Sequence, residues 1–138
     1  VFNVGTDGTN GVSGATYIAY CFHGVDGYSK VGSYTGSGSS DGPFVYTGFR
    51  PAFVMVKSSN AIASWWMGDT ARETYNGGAG TYGWLQANAS DAEADYTAID
   101  HLSNGFKLRD VHGGLNGSGN TYLYLAFAES PFKTSNAR

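Results

Sequence analysis

What this sequence has little of limits it first. A single cysteine, Cys21, excludes an intrachain disulfide, and its aromatic and aliphatic neighbours read as the setting of a buried thiol acting as a small apolar group. Only 14% of the residues are charged, the net charge is -3 and the basic residues form no cluster, so the electrostatic footprint of a nucleic-acid binder is missing. No apolar run approaches the roughly 20 residues that cross a bilayer, and no signal-peptide pattern is read at the start. The expectation is a soluble protein without membrane insertion. Glu, Lys and Leu, which favour helices, are also sparse.

What is present in quantity is turn-forming and strand-forming: 21 Gly, 10 Tyr and 8 Phe in 138 residues. The composition predicts an all-β chain with long Gly-rich loops and at most one short helix. The length suits one domain, 1–138, large enough for a core without staples. Val1 stands where Met would begin a primary product, so the chain is expected to be a fragment or a processed form.

The stretch Gly32 to Lys57 carries the best strand and two of the three prolines. Phe53-Val54-Met55-Val56 reads as a buried central strand, and Phe44 to Thr47 as a short strand forming the core pair with it. Pro51 keeps Arg50 out of the helical region. Thr16 to Phe22 alternates larger and smaller groups as a strand, Val25 to Val31 reads as a connection, and Ser64 to Asp69 as the neighbour of the central strand. Trp84 to Ala87 is a weak strand. Ser90 with Glu93 matches a capping box for a helical turn within Ala89 to Asp100. Phe106 to Arg109 alternates as a half-buried strand, Gly113 to Gly119 is a glycine-rich turn, and Thr121 to Ala128 is a long closing strand stopped by Pro131. The tail from Lys133 is expected to fray.

The two ends echo each other. Phe2-Asn3-Val4, then Asn10-Gly11 and Ser13-Gly14 leading into Thr16-Tyr17-Ile18-Ala19-Tyr20-Cys21-Phe22, parallels Phe106-Lys107-Leu108, then Asn116-Gly117-Ser118-Gly119 leading into Thr121-Tyr122-Leu123-Tyr124-Leu125-Ala126-Phe127. Three readings stand: residues 1–24 are the closing hairpin of a preceding related unit, the two hairpins hold equivalent places in one pseudo-symmetric sandwich, or Gly- and Tyr-rich hairpins simply look alike.

Chemistry is scarce. His23, His101 and His112 show no metal-ligand spacing, no nucleophile-elbow pattern is present, and Asp91, Glu93 and Asp95 read as a solvated helix start. No catalytic residue, metal site or cofactor is expected. The loops of Asp7 and Asp41 could offer oxygen ligands to Ca²⁺, but neither follows an EF-hand pattern and turn formation accounts for both. The aromatic set Trp65, Trp66, Tyr75, Tyr82 and Trp84 is the candidate binding surface. Neighbouring Trp65 and Trp66 point to opposite faces of a strand, so one indole is available for stacking on a sugar or anchoring a protein, unless both faces are covered.

Several stretches together resemble a domain of unknown function in tail-fibre and other virion proteins of tailed bacteriophages. They are Ala19 to Phe22, Gly27 to Lys30, Gly32 to Gly36, Asp41 to Val54, Phe106 to Arg109 and Ala126 to Glu129. The resemblance covers nearly the whole chain. It implies an antiparallel β-sandwich of jelly-roll-like form, a structural or host-contact module on the virion surface, a homo-oligomer with a trimer favoured, meeting other virion proteins and a host-surface glycan. It brings no catalytic residues. A non-catalytic carbohydrate-binding module is the alternative, and a glycan-cleaving enzyme, needing two carboxylates across a cleft, a third.

Overall fold

The computed structural model describes residues 3–72, 76, 83–94 and 98–131. Among these residues eight strands form two antiparallel sheets: β1 (Ser29–Thr35), β2 (Phe44–Tyr46), β3 (Pro51–Ser58), β4 (Trp66–Asp69), β5 (Trp84–Gln86), β6 (Ile99–Leu102), β7 (Gly105–Leu108) and β8 (Thr121–Ala128). The larger sheet runs β1-β8-β3-β4-β5 and the smaller β2-β7-β6. A single turn of helix, α1 (Gly113–Asn116), lies between β7 and β8. The chain is an all-β sandwich. Its first, second, third, seventh and eighth strands interleave between the sheets as in a jelly roll, whereas β4, β5 and β6 extend each sheet through local neighbours.

β3 is central in fact as well as in sequence, pairing β8 on one side and β4 on the other. Pro51 begins it, where a missing N–H breaks no ladder, and the register against β8 shifts between Pro51 and Phe53 as Ala52 bulges out. Arg50 and Glu129 then close the end of the sheet with an ion pair of 2.9 Å. Between the sheets lie Val54, Val56, Trp66, Trp84, Tyr122, Tyr124 and Ala126 from the larger one, facing Val45, Ile99, Phe106 and Leu108 from the smaller. Strand alternation puts every second residue inward, which is why Val45 is buried between exposed Phe44 and Tyr46.

The tyrosines of this core are satisfied at its α1 end. Tyr34 stacks on Tyr122 with ring centres 5.1 Å apart. The Tyr34 hydroxyl donates to the Leu115 carbonyl at 2.7 Å, and that of Tyr122 to the Gly113 carbonyl at 2.6 Å. Burial pushes the Tyr34 hydroxyl pKa far up, so it stays a donor.

Five expectations are corrected. Thr16 to Phe22 is not a strand, because among the described residues no strand of its own chain lies beside it. Cys21 within it is exposed, not buried. β2 does not pair with β3: the turn through Gly48 to Arg50 carries the chain to the opposite sheet, where β2 meets β7. Val25 to Val31 contains the start of β1, since Val25 and Ser29 exchange backbone hydrogen bonds and launch a strand at once. No helix forms at Ser90: Ala94 pairs its backbone with Trp84, the Glu93 carboxylate turns to Arg72 at 3.4 Å, and Ile99 to Leu102 is β6. The one helical turn lies instead in the glycine stretch at 113–116, capped by His112 Nδ1, which accepts from the Gly114 N–H at 3.2 Å. The tail from 132 onward lies outside the described residues, as does Asp95.

Candidate functional site: an apolar outer sheet face

Of the five aromatic residues singled out, Trp66 and Trp84 are core, at 4% and 0% exposed. Trp65 is 44% exposed, as the opposite-face argument required of one neighbour. Tyr75 and Tyr82 lie outside the described residues. Trp66 and Trp84 therefore hold the sheets together, and Trp65 is the indole left at the surface.

Trp65 instead joins a different set. On the outer face of the larger sheet, the pairing registers align Val31, Leu125, Met55, Met67 and Leu85 in one unbroken apolar row across all five strands. A parallel row sets Leu123 of β8 beside Lys57 of β3. Phe127 and Phe53 continue the face at the other end, with ring centres 6.2 Å apart. Over it runs the segment before β1, whose Phe22 ring meets Phe127 edge-on at 6.1 Å. Tyr20, Phe22, Val31, Met55, Lys57, Trp65, Leu123 and Leu125 line a groove of about 700 Å³ here.

The backbone at Trp65 is fixed while its indole is left free. Its N–H donates to Asn88 Oδ1 at 2.8 Å and its carbonyl accepts from the Ala87 N–H at 2.9 Å. Lys57 supplies the groove's one charge, and its Nζ donates to the Ser58 carbonyl at 2.8 Å. Such a surface offers van der Waals contact and apolar burial with little hydrogen-bond direction, which suits a protein partner better than a sugar.

Elsewhere several ionisable groups are already engaged. Arg72 bridges Asp69 at 3.1 Å and Glu93 at 3.4 Å, and Arg109 holds Asp100 at 2.9 Å. The Asp41 carboxylate accepts from Lys107 at 2.8 Å, and that hydrogen bond, with the charge behind it, lowers its pKa. The Asp7 carboxylate accepts from the Thr9 hydroxyl and from its N–H, which likewise lowers its pKa. Both loops thus use their aspartates internally. Among the described residues no group of three His, Cys, Asp or Glu is placed to hold a metal ion, and the three histidines stand apart in an exposed bend, the core and a helix cap.

Sequence reasoning missed the groove because it sought aromatic clusters near one another in the chain. The available signal was in β8 and β3, which are apolar on both faces when only one can meet the core.

Over residues 1–131 the chain matches the family described as a domain of unknown function, DUF7483. The chain belongs to the DUF7483 family. No curated protein and no solved structure matches it. The DUF7483 match spans both sheets, the groove and the segment Thr16 to Phe22 that lies along it, so that segment is part of the family's domain.

Proposed function

We propose that this chain is a non-catalytic structural module that assembles with copies of itself through the outer face of its larger sheet, as part of a tail-fibre-like structure on a bacteriophage virion. The observation that carries the assembly reading is the continuous apolar row from Val31 to Leu85, in which Val31 is exposed, Met55, Met67 and Leu85 are half-buried and Leu125 is covered, with exposed Leu123 and Trp65 beside it. Contiguous apolar surface left partly open in this way marks an interaction site. The virion assignment rests on the resemblance of Gly42 to Val54 and Ala126 to Glu129 to phage virion domains. The carbohydrate-binding reading ranks below it, because Trp66 and Trp84 are occupied in the core.

The test is oligomeric state. Native mass spectrometry of the purified chain should show an oligomer, a trimer being favoured. Leu123→Glu places a carboxylate on the face at a half-exposed position, so the fold tolerates it, and the variant should be monomeric. A wild-type chain that is monomeric at every concentration overturns the reading. So does a Leu123→Glu variant that assembles as well as the wild type.

A further inference from the structure

The geometry points to Thr16–Phe22 as a donor strand that adds along the open edge of β1 in a second copy of this chain. This deepens the assembly reading above and rests on it.

The segment is strand-like in sequence and has no strand partner among the described residues. From Thr16 to Phe22 no backbone group makes a hydrogen bond to any described residue. Ile18 and Tyr20 are 80% and 81% exposed. A run of β-favouring residues with open backbone groups is a pairing template.

The matching edge belongs to the same molecule. β1 ends the larger sheet, with β8 on one side only. Beyond Ser29, whose backbone exchanges hydrogen bonds with Val25, no described residue pairs with its outer edge from Lys30 to Thr35. The donor also repeats the strand that β1 already accepts: Thr16-Tyr17-Ile18-Ala19-Tyr20-Cys21-Phe22 copies β8, Thr121-Tyr122-Leu123-Tyr124-Leu125-Ala126-Phe127, with identical residues at the first, second and last positions. Laid antiparallel on β1 in the β8 register, Thr16 to Cys21 span the stretch from Thr35 to Lys30, Ile18 and Tyr20 extend the outer apolar face as Leu123 and Leu125 do, and Cys21 falls opposite Lys30. A chain that carries both the edge and a second copy of that edge's natural neighbour is built to pair with itself.

Its own β1 is not the acceptor. Ser29 Oγ donates to the His23 carbonyl at 3.0 Å, and Phe22 packs on Phe127 over the sheet face, so the segment leaves the edge instead of folding back along it. The area is sufficient. Tyr17, Ile18, Tyr20, Phe22, Val31, Leu123 and Trp65 are between 44% and 81% exposed. At about 200 Å² for a large side chain, they offer roughly 800 Å² per copy, the share a standard interface takes from each partner.

Mixed cross-linking tests this. The natural chain, with Cys21 as its one thiol, is mixed with a Cys21→Ser, Lys30→Cys chain and oxidised gently, and the mixed disulfide is read by mass. A Cys21→Ser, Ser103→Cys chain, with the thiol on the exposed turn between β6 and β7, is the control. The expected result is several-fold more mixed dimer with Lys30→Cys than with Ser103→Cys. Adding Ile18→Pro to the natural chain should abolish that excess and leave its circular dichroism unchanged, since the segment is outside the native sheets. Equal yields at the two positions overturn the donor strand. If Leu123→Glu still dissolves an oligomer in that case, the assembly reading stands while the donor strand falls. A wild-type chain that never assembles removes both.

Discussion

Asn116 shows how single residues fix the loops around this core. It is fully buried, yet each polar atom is used: Oδ1 accepts from the Ser37 N–H at 2.8 Å, and Nδ2 donates to the carbonyls of Ser39 at 2.7 Å and Asp110 at 2.8 Å. One amide thereby joins the loop before β2 to the helical turn before β8. His101 is the contrasting case. It is buried on β6, its Nδ1 faces the Pro51 carbonyl at 3.1 Å, and its Nε2 has no partner among the described residues. Burial lowers its pKa; nearby Arg50 adds to this, while the Pro51 carbonyl and the carboxylates of Asp69 and Asp100 oppose it. The folded state therefore prefers the neutral ring. Above about 6.5, the ordinary imidazole value, folded and unfolded rings are both neutral and nothing is lost. As pH falls below that value the unfolded chain takes up the proton first, and stability declines until the folded ring titrates. Denaturant midpoints measured from pH 7.5 down to 5 should fall, and His101→Gln should flatten that fall. An unchanged slope would rule out His101 as its source.

At the scale of elements, the larger sheet depends on how β4 admits β5. Gly68 lies between Val54 and Trp84 in the ladder, and a Cβ there would come within 2.8 Å of the Trp84 indole. The bare glycine lets the indole lie across the strand and fill the space between the sheets. Because Trp84 is fully buried it has nowhere to retreat. Gly68→Ala should therefore cost about 1–3 kcal/mol, the usual range for overpacking, read as a lower midpoint in chemical denaturation. A variant as stable as the wild type would show that the indole can shift. The capping box at Ser90 illustrates the opposite lesson. Its local pattern was sound, but pairing of Ala94 with Trp84 offered those backbone groups a ladder, and tertiary pairing overrode local preference.

For the whole molecule, the inner and outer faces of the larger sheet divide the tryptophans by role, and that division is measurable. Trp84→Ala should destabilise by about 3–5 kcal/mol, as deletion of a buried large aromatic does, a large share of the roughly 5–15 kcal/mol that holds a domain folded. Trp65→Ala should change the denaturation midpoint little, because its indole is half exposed on the outer face. Equal losses in the two variants would contradict the assignment of Trp65 to a surface role.

The fold class was legible in the sequence because glycine spacing and period-two alternation are local and physical. β3, β4, β5, β7 and β8 each stood out as short β-favouring runs between turns. The site was legible only in part. Trp65 was found because alternation forces one of two neighbouring indoles outward, but the groove it joins draws on β1, β3, β8 and the segment before β1, and only registers between distant strands bring these together. By itself the sequence determined the turns, the strand-forming runs and which residues within a strand share a face, since these follow from backbone geometry over a few residues. Tertiary structure alone decided which sheet each strand joined, which of two apolar faces met the core, and that Thr16 to Phe22 found no partner. Those outcomes depend on long-range pairing, which a local pattern permits but does not specify.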